Sequence, residues 1–169
     1  QTIQKFDFSK TNVKKVTFSE PGMFDCLDGF RSSLITQVSI PSSVKKINQF
    51  AFLDCSKLTK VKIIDISKSK LEIISKNAFL NCTSLSEFDL PKTVCCFEKS
   101  CFENCSKYKC QICISNDSQI TVGLNSFNGS GITKFESKSS NIIIEDFSFK
   151  NCKELTQFTA EADKIIKIG

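Results

Sequence analysis

Ten cysteines give this 169-residue chain its most obvious chemical potential. Cys110-Gln-Ile-Cys113 has the spacing of redox and zinc pairs, and Cys95 and Cys96 are adjacent. A C-x-x-C pair works when both sulfurs converge on a turn or a helix start, where a thiolate is activated or a metal is gripped. Here the pair falls in "CQICI", in which Cys110, Ile112 and Ile114 share one phase of a two-residue period. Residues three apart on a strand point to opposite faces, which argues against a convergent pair. Cys95, Cys96 and Cys113 stand at polar positions, and two readings stay open for them. One is a disulfide, joining Cys95 or Cys96 to a neighbour such as Cys113 in an oxidising compartment. The other is free thiols.

Other catalytic chemistry is poorly supplied. Histidine, the commonest neutral-pH acid or base and metal ligand, is absent. Glu87 and Asp89 form the best carboxylate pair, but no apolar pocket is evident around them to raise a pKa. No catalytic residue, metal ligand or cofactor is assigned, and the chain is read as not an enzyme. Arg31 is the only arginine, so the bidentate base contacts of sequence-reading proteins are missing and specific nucleic-acid binding is not expected.

Lysine is the remaining chemical resource. Eight lysines between Lys45 and Lys76 face Asp54, Asp65 and Glu72, an excess equal to the net charge of +5 for the whole chain. Such a patch attracts anionic glycans, acidic proteins or headgroups, or else is simply a solvated face.

These residues must be positioned by a repeating unit. A small residue followed by phenylalanine recurs as Gly29-Phe30, Ala51-Phe52, Ala78-Phe79, Cys101-Phe102, Ser126-Phe127 and Ser148-Phe149, at spacings of 22, 27, 23, 25 and 22 residues. Three residues after four of these phenylalanines comes Cys55, Cys82, Cys105 or Cys152, and three later Leu58, Leu85, Tyr108 or Leu155. The period then shortens to two, as in Val61 and Ile63, Phe88 and Leu90, or Phe158 and Ala160, which marks a half-buried strand. Pro41 and Pro91 follow and force a turn. A second apolar pair, such as Val44 and Ile47 or Ile165 and Ile168, leads back to the next phenylalanine. No unit of about 24 residues can bury its own apolar edge, so the units must stack. The expected fold is a repeat solenoid, a right-handed coil of short parallel β-strands with one helical or 3-10 turn per repeat.

In that register Cys55, Cys82, Cys105 and Cys152 are expected to be buried free thiols behind the phenylalanines, with Cys101 in the place of Ala51 and Ala78. The units at Phe30 and Phe127 lack the cysteine and are one residue shorter. Polar insertions at 64–70, 115–119 and 137–141 are read as surface loops. Sequons occur at Asn81, Asn104, Asn116 and Asn128, and two of them, at Asn81 and Asn104, arise from the repeat's Asn-Cys-Ser/Thr consensus. No apolar run is long enough for a transmembrane span, and no leader is recognised at the N-terminus. The closing "KIIKIG" reads as the start of another unit.

The segment "IPSSVKKINQFAFLDCSKLTKVKI" (40–63) resembles the BspA-like (treponemal-type) leucine-rich repeats, whose pattern approximates Ile-Pro-x-Ser-Val-x-x-Ile and then Ala-Phe-x-x-Cys-x-x-Leu-x-x-Val-x-Ile. The resemblance covers residues 29–169, about six repeats, and treats residues 1–28 as a partial or divergent one. It implies a protein-interaction module. Proteins of this kind are largely surface or secreted proteins of host-associated bacteria and protozoan parasites implicated in adhesion, so a cell-surface or secreted location is implied.

The surface expected to bind a protein or anionic glycan is the outward phase of the strands. It comprises Gln37, Ser39, Lys60, Lys62, Glu87, Asp89, Lys109, Gln111, Lys134, Glu136, Gln157 and Thr159. An intracellular scaffold with reduced cysteines is the alternative, and a cysteine redox enzyme a more distant one.

Overall fold

The computed structural model describes residues 6–19, 24–114, 118–160 and 164–165. The alternating segments form short strands that bury one phase of their residues, as Val38 and Ile40 or Val61 and Ile63 are buried. In chain order these are β1 (Lys15–Thr17), β2 (Cys26–Leu27), β3 (Gln37–Ile40), β4 (Lys46–Ile47), β5 (Lys60–Ile63), β6 (Ile73–Ile74) and β7 (Glu87–Phe88). They continue with β8 (Cys96–Phe97), β9 (Gln111–Ile114), β10 (Ile120–Val122), β11 (Lys134–Ser137), β12 (Asn141–Ile144), β13 (Gln157–Ala160) and β14 (Lys164–Ile165). Every pairing is parallel and skips one strand in sequence, so the chain winds as a solenoid. Even-numbered strands form one seven-stranded sheet from β2 to β14, whereas odd-numbered strands form β1-β3-β5-β7 and, separately, β9-β11-β13.

A column of phenylalanines runs through the core. Phe8, Phe30, Phe52, Phe79, Phe102, Phe127 and Phe149 stack with centroids 4.8 to 5.6 Å apart and planes within 9° of parallel. Phe30 to Phe127 are fully buried. Phe149 is only partly so, because Phe127 is its one stacked neighbour among the described residues. Phe158, expected on a buried phase, is 46% exposed, since β13 is paired on one side only among those residues.

The segment carrying each phenylalanine is a pair of tight turns rather than a helical turn. Left-handed backbone recurs at Phe50, Asn77, Ser100, Asn125 and Phe147, and again four residues later at Asp54, Asn81, Asn104, Gly129 and Asn151. Asn, Asp and Gly tolerate that conformation best, which explains their choice at the second position. The 3-10 segment Ile66–Lys68 lies in an insertion instead. Neighbouring turns are tied by backbone bonds such as Phe52 N–H to the Ala78 carbonyl (2.7 Å) and Asp54 N–H to the Leu80 carbonyl (2.9 Å). A polar ladder seals the outside: Asn81 donates to Asp54 (2.8 Å), Asn104 to Asn81 (2.9 Å), and Asn151 to Asn128 (3.1 Å).

The break between β7 and β9 has a local cause. Leu58, Leu85 and Ile132 each stand two residues before their strand, but Tyr108 stands three before Gln111. The added residue puts β9 out of step with β7. Fully buried, the Tyr108 hydroxyl donates to the Phe88 carbonyl at 2.7 Å, where among the described residues no strand pairs with that edge of β7.

Candidate functional site

Strand register brings the outward side chains into rows. Lys15, Gln37, Lys60 and Glu87 lie side by side across β1, β3, β5 and β7, and Thr17, Ser39 and Lys62 form the next row. Asp89 is exposed just beyond β7. In the second panel Gln111, Lys134 and Gln157 form one row and Cys113, Glu136 and Thr159 the other. The expected continuous surface is therefore two panels divided at the β7 edge. Lys109 belongs to neither: the extra residue leaves it ahead of β9, where it reaches Glu154 at 3.7 Å. Lys15, Thr17 and Cys113 are row members that the sequence reading left out. The alternation Lys15-Val16-Thr17, a match to Gln37-Val38-Ser39, was the available signal.

Half of the eight lysines of the basic patch are paired. Lys60 contacts Glu87 at 2.6 Å, Lys68 contacts Asp65 at 3.0 Å, Lys45 contacts Asp25 at 3.3 Å and Lys46 lies 4.0 Å from Glu98. Lys62 and Lys15 make no ion pair with the described residues. Two open grooves, of about 430 and 310 Å³, meet at Lys60 and Lys62. The smaller runs towards Lys15, Gln37 and Ser39, and the larger towards Glu87, Asp89 and the 64–66 loop. On the second panel Lys134 and Glu136 pair at 2.5 Å on one strand, and this bond holds the Glu136 carboxyl below its usual range.

All ten cysteines are free thiols. The suggested bridge does not form, because Cys96 lies on the even-numbered sheet and Cys113 on the odd-numbered one. Cys95 and Cys96 are also partly buried rather than fully solvated. Cys110 is partly buried, whereas Cys113 is exposed within 3.9 Å of Glu136, so the C-x-x-C sulfurs face different surroundings. The repeat cysteines have a definite task that their spacing alone did not disclose. Cys55, Cys82, Cys105 and Cys152 each donate a thiol hydrogen to a phenylalanine carbonyl in a preceding unit, at 2.8 to 3.1 Å. Burial pushes the thiols of Cys82, Cys101 and Cys105 well up. Ser33 and Ser130 take that position in the two shorter units and are buried as well. Cys152, expected in the core, is only partly buried near the end of the described coil.

Among the described residues no group of three or more His, Cys, Asp or Glu side chains is placed to hold a metal ion, and no helix is long and apolar enough to cross a membrane. Glu87 and Asp89 are both exposed, and Glu87 is held by Lys60. The sequon amides of Asn81, Asn104 and Asn128 act as donors along the polar ladder. Asn116, Ile168 and the last residues of the KIIKIG segment lie outside the described residues.

The family profile of the BspA-type leucine-rich repeat region matches in six copies, over residues 1–109, 27–156 and 118–169. The chain belongs to the BspA-type leucine-rich repeat family. Three solved structures resemble this BspA-type chain. A leucine rich cell surface protein from Faecalibacterium prausnitzii is 20% identical with a TM-score of 0.64, covering 90% of this chain and 48% of its own. The T. pallidum leucine rich repeat protein is 20% identical with a TM-score of 0.51, covering 90% and 65% respectively. A leucine-rich repeat protein from Bacteroides ovatus is 21% identical with a TM-score of 0.51, covering 86% and 45%. The chain thus spans about half to two thirds of the length of these proteins. At these identities the likeness concerns the fold. No curated protein matches the sequence significantly. As a BspA-type repeat protein the chain is an interaction module in its general class.

Proposed function

We propose that this module is a non-catalytic adhesin, displayed on a cell surface or secreted, that holds a protein or anionic glycan on the strand face of its first panel. The observation that carries this reading is the meeting of two grooves at Lys60 and Lys62, on side chains that strand register aligns and the core does not use. Solenoids offer such aligned rows as extended surfaces for large partners. One similar structure is that of a leucine rich cell surface protein, which supports the location.

A direct test screens the intact chain against immobilised extracellular-matrix proteins and sulfated glycans, alongside the double variant Lys60→Glu, Lys62→Glu. Binding should vanish in the variant while the far-ultraviolet spectrum stays unchanged, because the inward Val61 and Ile63 are untouched. It should also weaken as the Debye length shrinks from ~10 Å at 0.1 M salt to ~3 Å at 1 M. Partners that bind the variant equally well would move the site elsewhere, and a panel with no binder would count against adhesion.

The ten unbridged cysteines favour a second reading, an intracellular scaffold in a reducing compartment. Thiol titration of protein taken from its own cells separates the two: ten reactive groups after denaturation fit a reducing compartment, and fewer would indicate disulfides formed outside it.

A further inference from the structure

The larger groove carries both signs of charge. Lys62 lines it without an ion pair among the described residues, and Lys60 is bound to Glu87. Asp89, also exposed, stands across from them, and Asp65 at the loop end is held by Lys68. A long polyanion laid here would meet Glu87 and Asp89 within a strand spacing or two of the lysines, about 5 to 10 Å. Like charges so close oppose binding. The longest repeat, with a spacing of 27 residues from Phe52 to Phe79, supplies one more feature. Its insertion folds into the 3-10 segment and carries Ile66, 45% exposed, at the groove wall. An apolar side chain held beside separated positive and negative groups is complementary to a peptide segment that has all three. At about 430 Å³ the groove is in the size range of clefts that seat a small ligand or a few side chains.

We infer that this groove is a specificity site for an extended protein segment bearing an acidic group for Lys62, a basic group for Glu87 and Asp89, and an apolar side chain for Ile66. The inference rests on the adhesin reading above and narrows its partner to protein. Lys62 and Asp89 fix the direction of the segment through their opposite charges, and Ile66 removes apolar surface of the partner from water.

The test uses a displayed library of random linear peptides selected on the intact chain, with heparin as the polyanion probe. Selected peptides should combine acidic, basic and large apolar residues, and heparin should not be retained at physiological ionic strength. Asp89→Lys and Ile66→Asp, both at exposed positions, should each weaken a selected peptide at least about tenfold, which is about 1.4 kcal/mol. Spectra of both variants should match the parent. Selection of purely acidic peptides, or heparin binding that strengthens in Asp89→Lys, would overturn the inference in favour of a polyanion site. Peptides indifferent to both substitutions would refute the groove while leaving the interaction function standing. Whole proteins that bind when no peptide is enriched would refute a linear segment, and the absence of both kinds of binder would sink the adhesin reading itself.

Discussion

Cys82, Cys101 and Cys105 are fully buried thiols, and burial raises the pKa of each because the thiolate would lose its hydration. The sign of the consequence follows from proton counting. In the unfolded chain these thiols ionise at about pH 8.5, whereas in the folded chain they keep their protons. The folded state therefore binds more protons above that pH, and stability, fully present below it, falls as pH rises. Three such groups together give a slope of roughly 4 kcal/mol per pH unit. Urea melts near neutrality and on either side of about pH 10 should show this fall, and replacing Cys82 and Cys105 by alanine should flatten it. In native protein, thiol reagents should label Cys26 and Cys113, the exposed cysteines, and reach Cys55, Cys82, Cys101 and Cys105 only after unfolding. Rapid native labelling of those four would contradict their burial.

At the level of the element, the unit of construction is a phenylalanine stacked between its neighbours. Phe79 lies between Phe52 and Phe102 with no exposure, so Phe79→Ala should cost about 3–5 kcal/mol through lost transfer energy and an unfilled cavity. Phe149→Ala should cost less, because Phe149 is already partly exposed. Equal losses in denaturant melts would mean that the column does not set the stability. Tyr108→Phe is a sharper probe, since it keeps the ring and removes one hydroxyl. The Phe88 carbonyl then stays buried without its donor, for about 1–3 kcal/mol. A neutral outcome would show that water reaches the β7 edge.

Most of this element was legible in the sequence because each phenylalanine, cysteine and leucine is demanded by a neighbouring copy. The parts that escaped lack such a copy. Phe8 follows Asp7 instead of a small residue, so its place on the column shows only once its N–H meets the Gly29 carbonyl at 2.7 Å. Lys109 is outward as expected, but it was placed in the strand row because a strict period of two from Cys110 ignores the residue added after Tyr108. The helical turn was misjudged for a related reason: two left-handed residues four apart leave the same apolar spacing as one helical turn, and only the backbone separates them. The partial pairing of the lysine patch was the least legible feature, because the partners Asp25, Glu87 and Glu98 come from other repeats or far along the chain.

Taken whole, the molecule places its only tyrosine against the side of its phenylalanine column. Tyr108 stacks 5.1 Å from Phe102 and 6.5 Å from Phe88, and the chain has no tryptophan. Ultraviolet light absorbed by the column can therefore pass from ring to ring and leave as tyrosine emission, with no competing indole to capture it. Unfolding separates the rings and cuts this transfer, so the tyrosine yield on exciting the phenylalanine band should drop relative to direct tyrosine excitation. The stack that closes the core thus doubles as an antenna, and the unlabelled chain reports optically on the integrity of its own coil.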